Sequence, residues 1–168
     1  MNRPLNYFPL AAVLFWTISA VAQPSPSAPA GPKKLSASAI QILPVDTADV
    51  SIPAEFRFAI YEHVIEQITK AGTFQKVIRS GDHAADSIPD LVTLHIQLDK
   101  FQEGNQMERE LIKVHGATKI DVSTTVTAKD GHTVLDKKIS GKVRFMGENL
   151  GATNDLAKRI TKLLRENF

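Results

Sequence analysis

The sequence predicts an α+β fold: a two-layer sandwich in which a mostly antiparallel sheet of about five strands carries two helices on one face. Three observations predict it. Residues 91–101 and 120–128 alternate apolar and polar side chains with the two-residue period of half-buried strands. The second stretch runs into Asp130-Gly131, the strongest short-range hairpin signal, and an alternating strand returns from it. Two other segments place apolar residues three or four positions apart, the spacing of one helix face.

In chain order, residues 39–45 form a short apolar run closed by the turn-prone residues 44–49, and read as a first strand. Pro53 then opens a helical stretch in which Phe56, Ile60, Val64, Ile68 and Ala71 recur on one face. Ser51 is expected to cap it and Gly72 to end it. Residues 74–78 resume as a second strand, followed by a polar loop over 80–89. The third strand places Val92, Leu94, Ile96 and Leu98 on one side and Thr93, His95, Gln97 and Asp99 on the other. Ile120, Val122, Thr124 and Val126 line up likewise in the fourth. In the return strand Leu135, Ile139 and Val143 point inward, with Lys137 and Gly141 in the same row. An end position is expected for Lys137, and a bulge or close packing for Gly141. Leu156, Ile160, Leu163, Leu164 and Phe168 mark the last helix, with Thr153 or Asn154 as its expected cap.

The segments before the first strand read differently. Asn2 and Arg3 precede a 13-residue apolar run, residues 10–22, which ends in Ala20-Val21-Ala22. These are the three parts of a secretory signal peptide, with Ala20 and Ala22 as the small residues of the cleavage site. A membrane-spanning helix needs about 20 apolar residues, and Pro9 and Pro24 bracket a shorter run. Residues 1–22 are thus assigned to a signal peptide and 23–35 to a Pro/Ser/Ala-rich linker. That linker lacks the apolar side chains needed to offset the entropy of ordering its backbone. Residues 36–168 form a single α+β domain. No Cys follows the apolar run, so acylation as a bacterial lipoprotein is not expected. A periplasmic or secreted location follows, with membrane contact only through the transient signal peptide.

Composition narrows the function classes. The 168 residues carry 20 Lys plus Arg against 18 Asp plus Glu, a net charge of +2, which is not the footprint of a dedicated nucleic-acid binder. Having no Cys removes disulfides, thiolate zinc sites, iron-sulfur clusters and cysteine nucleophiles. His63, with Glu62 and Glu66 beside it, supplies too few ligands for zinc, and the Asp- and His-bearing 81–90 loop matches no calcium or zinc spacing. No Gly-x-Ser-x-Gly turn or phosphate-binding glycine loop occurs. No cofactor, no metal and no catalytic activity are expected. Past the signal peptide the chain has no Trp and a single Tyr, so stacking platforms for sugars or bases are not expected either.

Charge divides unevenly, with 12 basic and 9 acidic residues from position 101 onward. Lys138, Lys142 and Arg144 fall on one face of the return strand, as a basic stripe or a solvated face that discourages aggregation.

From Pro89 onward the residues resemble a group of exported bacterial proteins catalogued as domain of unknown function 4410. The resemblance lies in Asp90-Leu91-Val92-Thr93-Leu94, in Phe101, Gly104, Asn105 and Arg109, and in Gly116-Ala117. Asp130-Gly131 and the Gly147 and Gly151 that precede the last helix extend it, and Ala71-Gly72-Thr73-Phe74 with Val77 fits the group's opening. The chain departs from that pattern at residues 113–115. The element order is also similar to the amino-terminal domain of TolB and to curli-secretion lipoproteins, a fold-level analogy. The resemblance implies an envelope binding or interaction module, with Asn105, Arg109 and Gly116 as matched loop positions. Another envelope protein is the expected partner, and pairing of copies through a sheet edge is a second reading. The alternative is a small-ligand-binding protein or hydrolase using the 81–90 or the 102–109 loop.

Overall fold

The computed structural model describes residues 34–104, 117–143 and 150–168. Ala20, Ala22, Asn105, Arg109, Gly116 and Arg144 lie outside the described residues. The elements are β1 (Ala39–Ile42), α1 (Ala54–Ala71), β2 (Lys76–Arg79), a 3-10 turn (His83–Ser87), β3 (Leu91–Gln102), β4 (Thr118–Ala128), β5 (Thr133–Val143) and α2 (Gly151–Asn167). The strands form one sheet in the order β2-β1-β3-β4-β5. The two long pairings, β3 with β4 and β4 with β5, are antiparallel. The four-residue β1 pairs in parallel with both β2 and β3. The sheet is therefore mixed but mostly antiparallel by length, in an α+β architecture.

Period-two alternation decides which side chains enter the core. Val92, Leu94, Ile96 and Leu98 of β3 and Ile120, Val122 and Val126 of β4 are all buried on one face. The register shifts between Leu98 and Lys100, so two residues of β3 oppose one of β4. That bulge returns Phe101 to the inner face, where its ring meets Phe56 edge-on at 4.9 Å. Such a pair adds about 0.5–1.5 kcal/mol to simple burial.

Both helices lie on this inner face. On α1 the buried residues Phe56, Ile60, Val64 and Ile68 recur every four positions, while Ala71 is exposed where the helix ends. Gly72 closes α1 with φ of +63°, a conformation that needs a residue without a Cβ. The N-cap position is Pro53 and carries no side-chain cap bond, so Ser51 does not take the expected role. On α2 the buried set is Ala152, Thr153, Leu156, Ala157, Ile160 and Leu164. Thr153 lies inside the first turn, where its hydroxyl donates to the Leu150 carbonyl at 2.7 Å rather than capping the helix. The same oxygen is 2.7 Å from His63 Nδ1, which ties α1 to α2. His63 thus serves helix packing.

Gly141 belongs to the inward row of β5, opposite Ile120. A Cβ there would stand 2.5 Å from both the Ala152 carbonyl oxygen and Leu156 Cβ. Close packing, one of the two roles expected of this glycine, is what the structure holds: α2 rests directly on the β5 backbone. Replacing Gly141 with Ala should therefore push α2 off the strand and cost about 1–3 kcal/mol through overpacking. Urea denaturation would register this as a lower midpoint at unchanged slope.

Candidate interaction surface

The helices cover one face of the sheet and leave the other polar. Along β3 this outer face carries Thr93, His95, Gln97 and Asp99; along β4, Lys119, Asp121, Ser123, Thr125 and Thr127; along β5, Asp136, Lys138, Ser140 and Lys142. Its charges are interleaved. Asp99, set out by the β3 bulge, accepts from the Ser123 hydroxyl at 2.8 Å and lies 3.7 Å from the Lys138 ammonium. Asp121 accepts from Lys119 Nζ at 2.7 Å and from the Ser140 hydroxyl. Partial burial raises the Asp121 pKa, but the Lys119 and Ser140 donors and the charges of Lys119 and Lys100 outweigh it, and the carboxyl titrates below its ordinary value. Lys138 and Lys142 do share a face, four residues apart on β5, with Ser140 between them opposite Asp121 of β4.

Toward the β1 end the same face forms an open groove of about 490 Å³. Gln41, Asp82, His83, Asp86, Thr93 and His95 are among its lining. The 81–90 loop folds over the sheet because Ala85 buries against Ala39, Ile78 and Leu91, a small second apolar cluster. Asp82 starts the 3-10 turn by accepting from the Ala84 N–H at 2.9 Å. Lys129, from the hairpin turn, donates to the Asp86 and Ile88 carbonyls, both at 2.8 Å, and so ties the hairpin to this loop. At the other end of the loop Asp90 accepts from the Ser38 N–H at 2.8 Å and from its hydroxyl, which holds the carboxyl below the usual range. The groove gathers two histidines and two aspartates, yet among the described residues no group of three or more His, Asp or Glu could hold a metal ion. Of the 102–109 loop only residues 102–104 are described; the Gly104 N–H donates to Thr118 Oγ1 at 3.1 Å.

A second recess, about 440 Å³, runs between β5 and α2. Lys137, Lys138, Lys142, Arg159 and Lys162 line it together with Glu166. Lys138 and Lys142 are legible as neighbours on one strand face, whereas the place of Lys137, Arg159 and Lys162 beside them depends on how α2 lies across the sheet. The signal for Arg159 and Lys162 is weak: two cations three positions apart on the polar face of an amphipathic helix. A third, more apolar hollow of about 410 Å³ involves Pro44, Val45, Arg57, Phe58 and Tyr61. Phe58 is 62% exposed there, with the Arg57 guanidinium 5.5 Å from its ring centroid. No helix among the described residues is long and apolar enough to cross a membrane.

No family model matches the chain, and no curated protein does. Among solved structures, the chain is similar to the PelC dodecamer of Paraburkholderia phytofirmans, with a TM-score of 0.60 at 8% identity over 79% of this chain and 91% of that one. A variant of the same PelC dodecamer gives 0.58 at 8% identity, over 77% and 87%. A hypothetical protein from Chlamydia trachomatis gives 0.46 at 8% identity, over 76% and 93%. At this identity the PelC likeness establishes the fold alone.

Two tests address the surface. Asp121 has a depressed native pKa, so its contribution to stability is full above its unfolded value near 3.8 and is lost as pH falls through the lower native value. Asp121→Asn should cost about 1 kcal/mol at neutral pH and flatten the loss of stability below about pH 4, read from urea midpoints across pH. Lys129→Met keeps the aliphatic stem and removes both carbonyl contacts. It should lower stability by about 1 kcal/mol and speed amide exchange over residues 83–88, seen by hydrogen-exchange mass spectrometry.

Proposed function

We propose that this chain is an exported cell-envelope binding module without catalytic activity, whose partner is another envelope protein. The observation that carries the reading is the outer sheet face: among the described residues both helices pack on one side, and the other presents three long strands of hydroxyls, carboxylates and ammonium groups, with only the 81–90 loop over its β1 end. Such a face is rigid, because its backbone is held by the sheet ladder. It is also hydrated, because its charges compensate one another, which suits selective recognition better than nonspecific adhesion. The Asn2-Arg3 start, the apolar run and Ala20-Val21-Ala22 support export. The resemblance to the domain of unknown function 4410 group supports an envelope setting. The dodecameric assembly of PelC gives this fold a precedent for self-association.

The small-ligand reading has one specific observation in its favour, the groove under the 81–90 loop. That groove is open along the sheet, whereas ligand sites bury most of the ligand in a concave pocket.

The mature protein recovered from the periplasm should begin at Gln23, and mass spectrometry that finds Met1 retained would refute cleavage. Cross-linked capture from envelope extracts should recover a partner with the wild type and with Glu66→Ala on the exposed side of α1, and lose it with Gln97→Arg/Thr125→Arg on the outer face. Turnover in a substrate screen, with no partner recovered by any variant, would reverse the assignment.

A further inference from the structure

β5 is one of the two edges of the sheet, and it is the long one. In an antiparallel pair, successive residues of a strand direct their backbone N–H and C=O groups alternately toward and away from the partner strand. The Lys142 N–H donates at 3.0 Å to Asp155 Oδ2 on α2, so it points away from β4. By the same alternation the backbone groups of Ser140 and Lys138 also point outward. Among the described residues no backbone hydrogen bond joins them to a second strand. Among the described residues α2 therefore caps the edge at Lys142 and no strand pairs with the stretch before it, a template for strand addition.

The chemistry beside that stretch identifies what it takes. The recess along the edge carries five cations and one acid, Glu166. Arg159 is paired with Asp155 at 2.8 Å. Lys138 and Lys162 stand 3.7 Å from Asp99 and Glu166, with 83% and 68% of their side chains exposed. Ile139 and Leu163, half-buried against the core, supply apolar surface in the same recess. A second copy is the wrong occupant on charge grounds. Joining β5 to β5 would bring together two recesses that each hold five cations and one acid, and the opposite edge, β2, is Lys-Val-Ile-Arg.

We infer that the open edge of β5 accepts an extended, acidic segment of a partner polypeptide as an added strand, its backbone pairing with Lys138 and Ser140 and its carboxylates meeting Lys137, Lys138, Lys142 and Lys162. This names the partner chemistry of the binding module proposed above and rests on that reading. Main-chain pairing supplies affinity in this mode, and the flanking cations supply selectivity and a rapid, salt-sensitive encounter.

The test uses the full mature chain and a labelled peptide of alternating Glu and Val, about nine residues long. Two controls accompany it, the same peptide with Lys in place of Glu and the Glu peptide N-methylated at alternate amides. Fluorescence anisotropy should show saturable binding of the unmethylated Glu peptide only. Affinity should fall about tenfold when salt rises from about 50 to about 300 mM, and by a similar factor in Lys138→Ala/Lys142→Ala. Equal binding of the methylated peptide would mean that charge alone acts, and would overturn strand addition. Lack of binding to all three peptides would mean that the lysines only guard the edge, and would overturn the proposal. So would self-association by light scattering that the double variant abolishes, since β5 would then pair with a second copy. Capture of an envelope partner that persists in Lys138→Ala/Lys142→Ala would remove the β5 edge while leaving the binding-module reading intact; capture that fails with every variant would remove that reading as well.

Discussion

The seat of α2 on β5 at Gly141 is the constraint on which most of the molecule's surface depends. Without a side chain at Gly141, the Ala152 carbonyl and the Leu156 backbone can approach the strand closely. That approach sets the height and tilt of the helix. Its inner side then fills the core with Leu156, Ile160 and Leu164, while its flank brings Asp155 to the Lys142 amide and Arg159 and Lys162 to the strand edge. A single absent methyl group thus links core packing to the composition of an edge.

Charge pairing does for the outer face what apolar burial does for the inner one. Asp99 and Asp121 each accept from a serine hydroxyl and stand beside a lysine ammonium, so the carboxylates of the solvent side are compensated by groups of the sheet itself. Individually these contacts contribute little, as exposed ion pairs do. Their larger effect is on recognition: the exposed sheet is hydrophilic, its charges compensate one another over β3 and β4, and cations gather at the rim where β5 meets α2. A partner therefore meets a graded surface.

Several features were legible in the residues alone, for identifiable reasons. Strict alternation in β3 and β4 allowed their buried rows to be read residue by residue, because in a strand the side-chain period is fixed at two. Asp130-Gly131 marked the hairpin, where Gly131 takes a φ of +86°. Gly141 stood out as a glycine in an apolar row. The caps were less legible: Ser51 and Asn154 have capping chemistry, but packing begins α1 after Pro53 and α2 after Leu150, and those backbone positions decide the cap. The 80–89 segment reads as polar, yet Ala85 is buried within it, a consequence of Ala39 and Leu91 lying side by side beneath it.

The sequence by itself determined the two-layer class and the inward rows of β3 and β4, since these follow from local periodicity. Tertiary structure alone decided that β1 sits between β2 and β3 in parallel, because a four-residue run buried on both faces carries no record of its neighbours. It also decided which charges meet. Lys129 reaches the Asp86 and Ile88 carbonyls, and Lys142 and Lys162 come to line one recess, though no sequence period connects these distant residues.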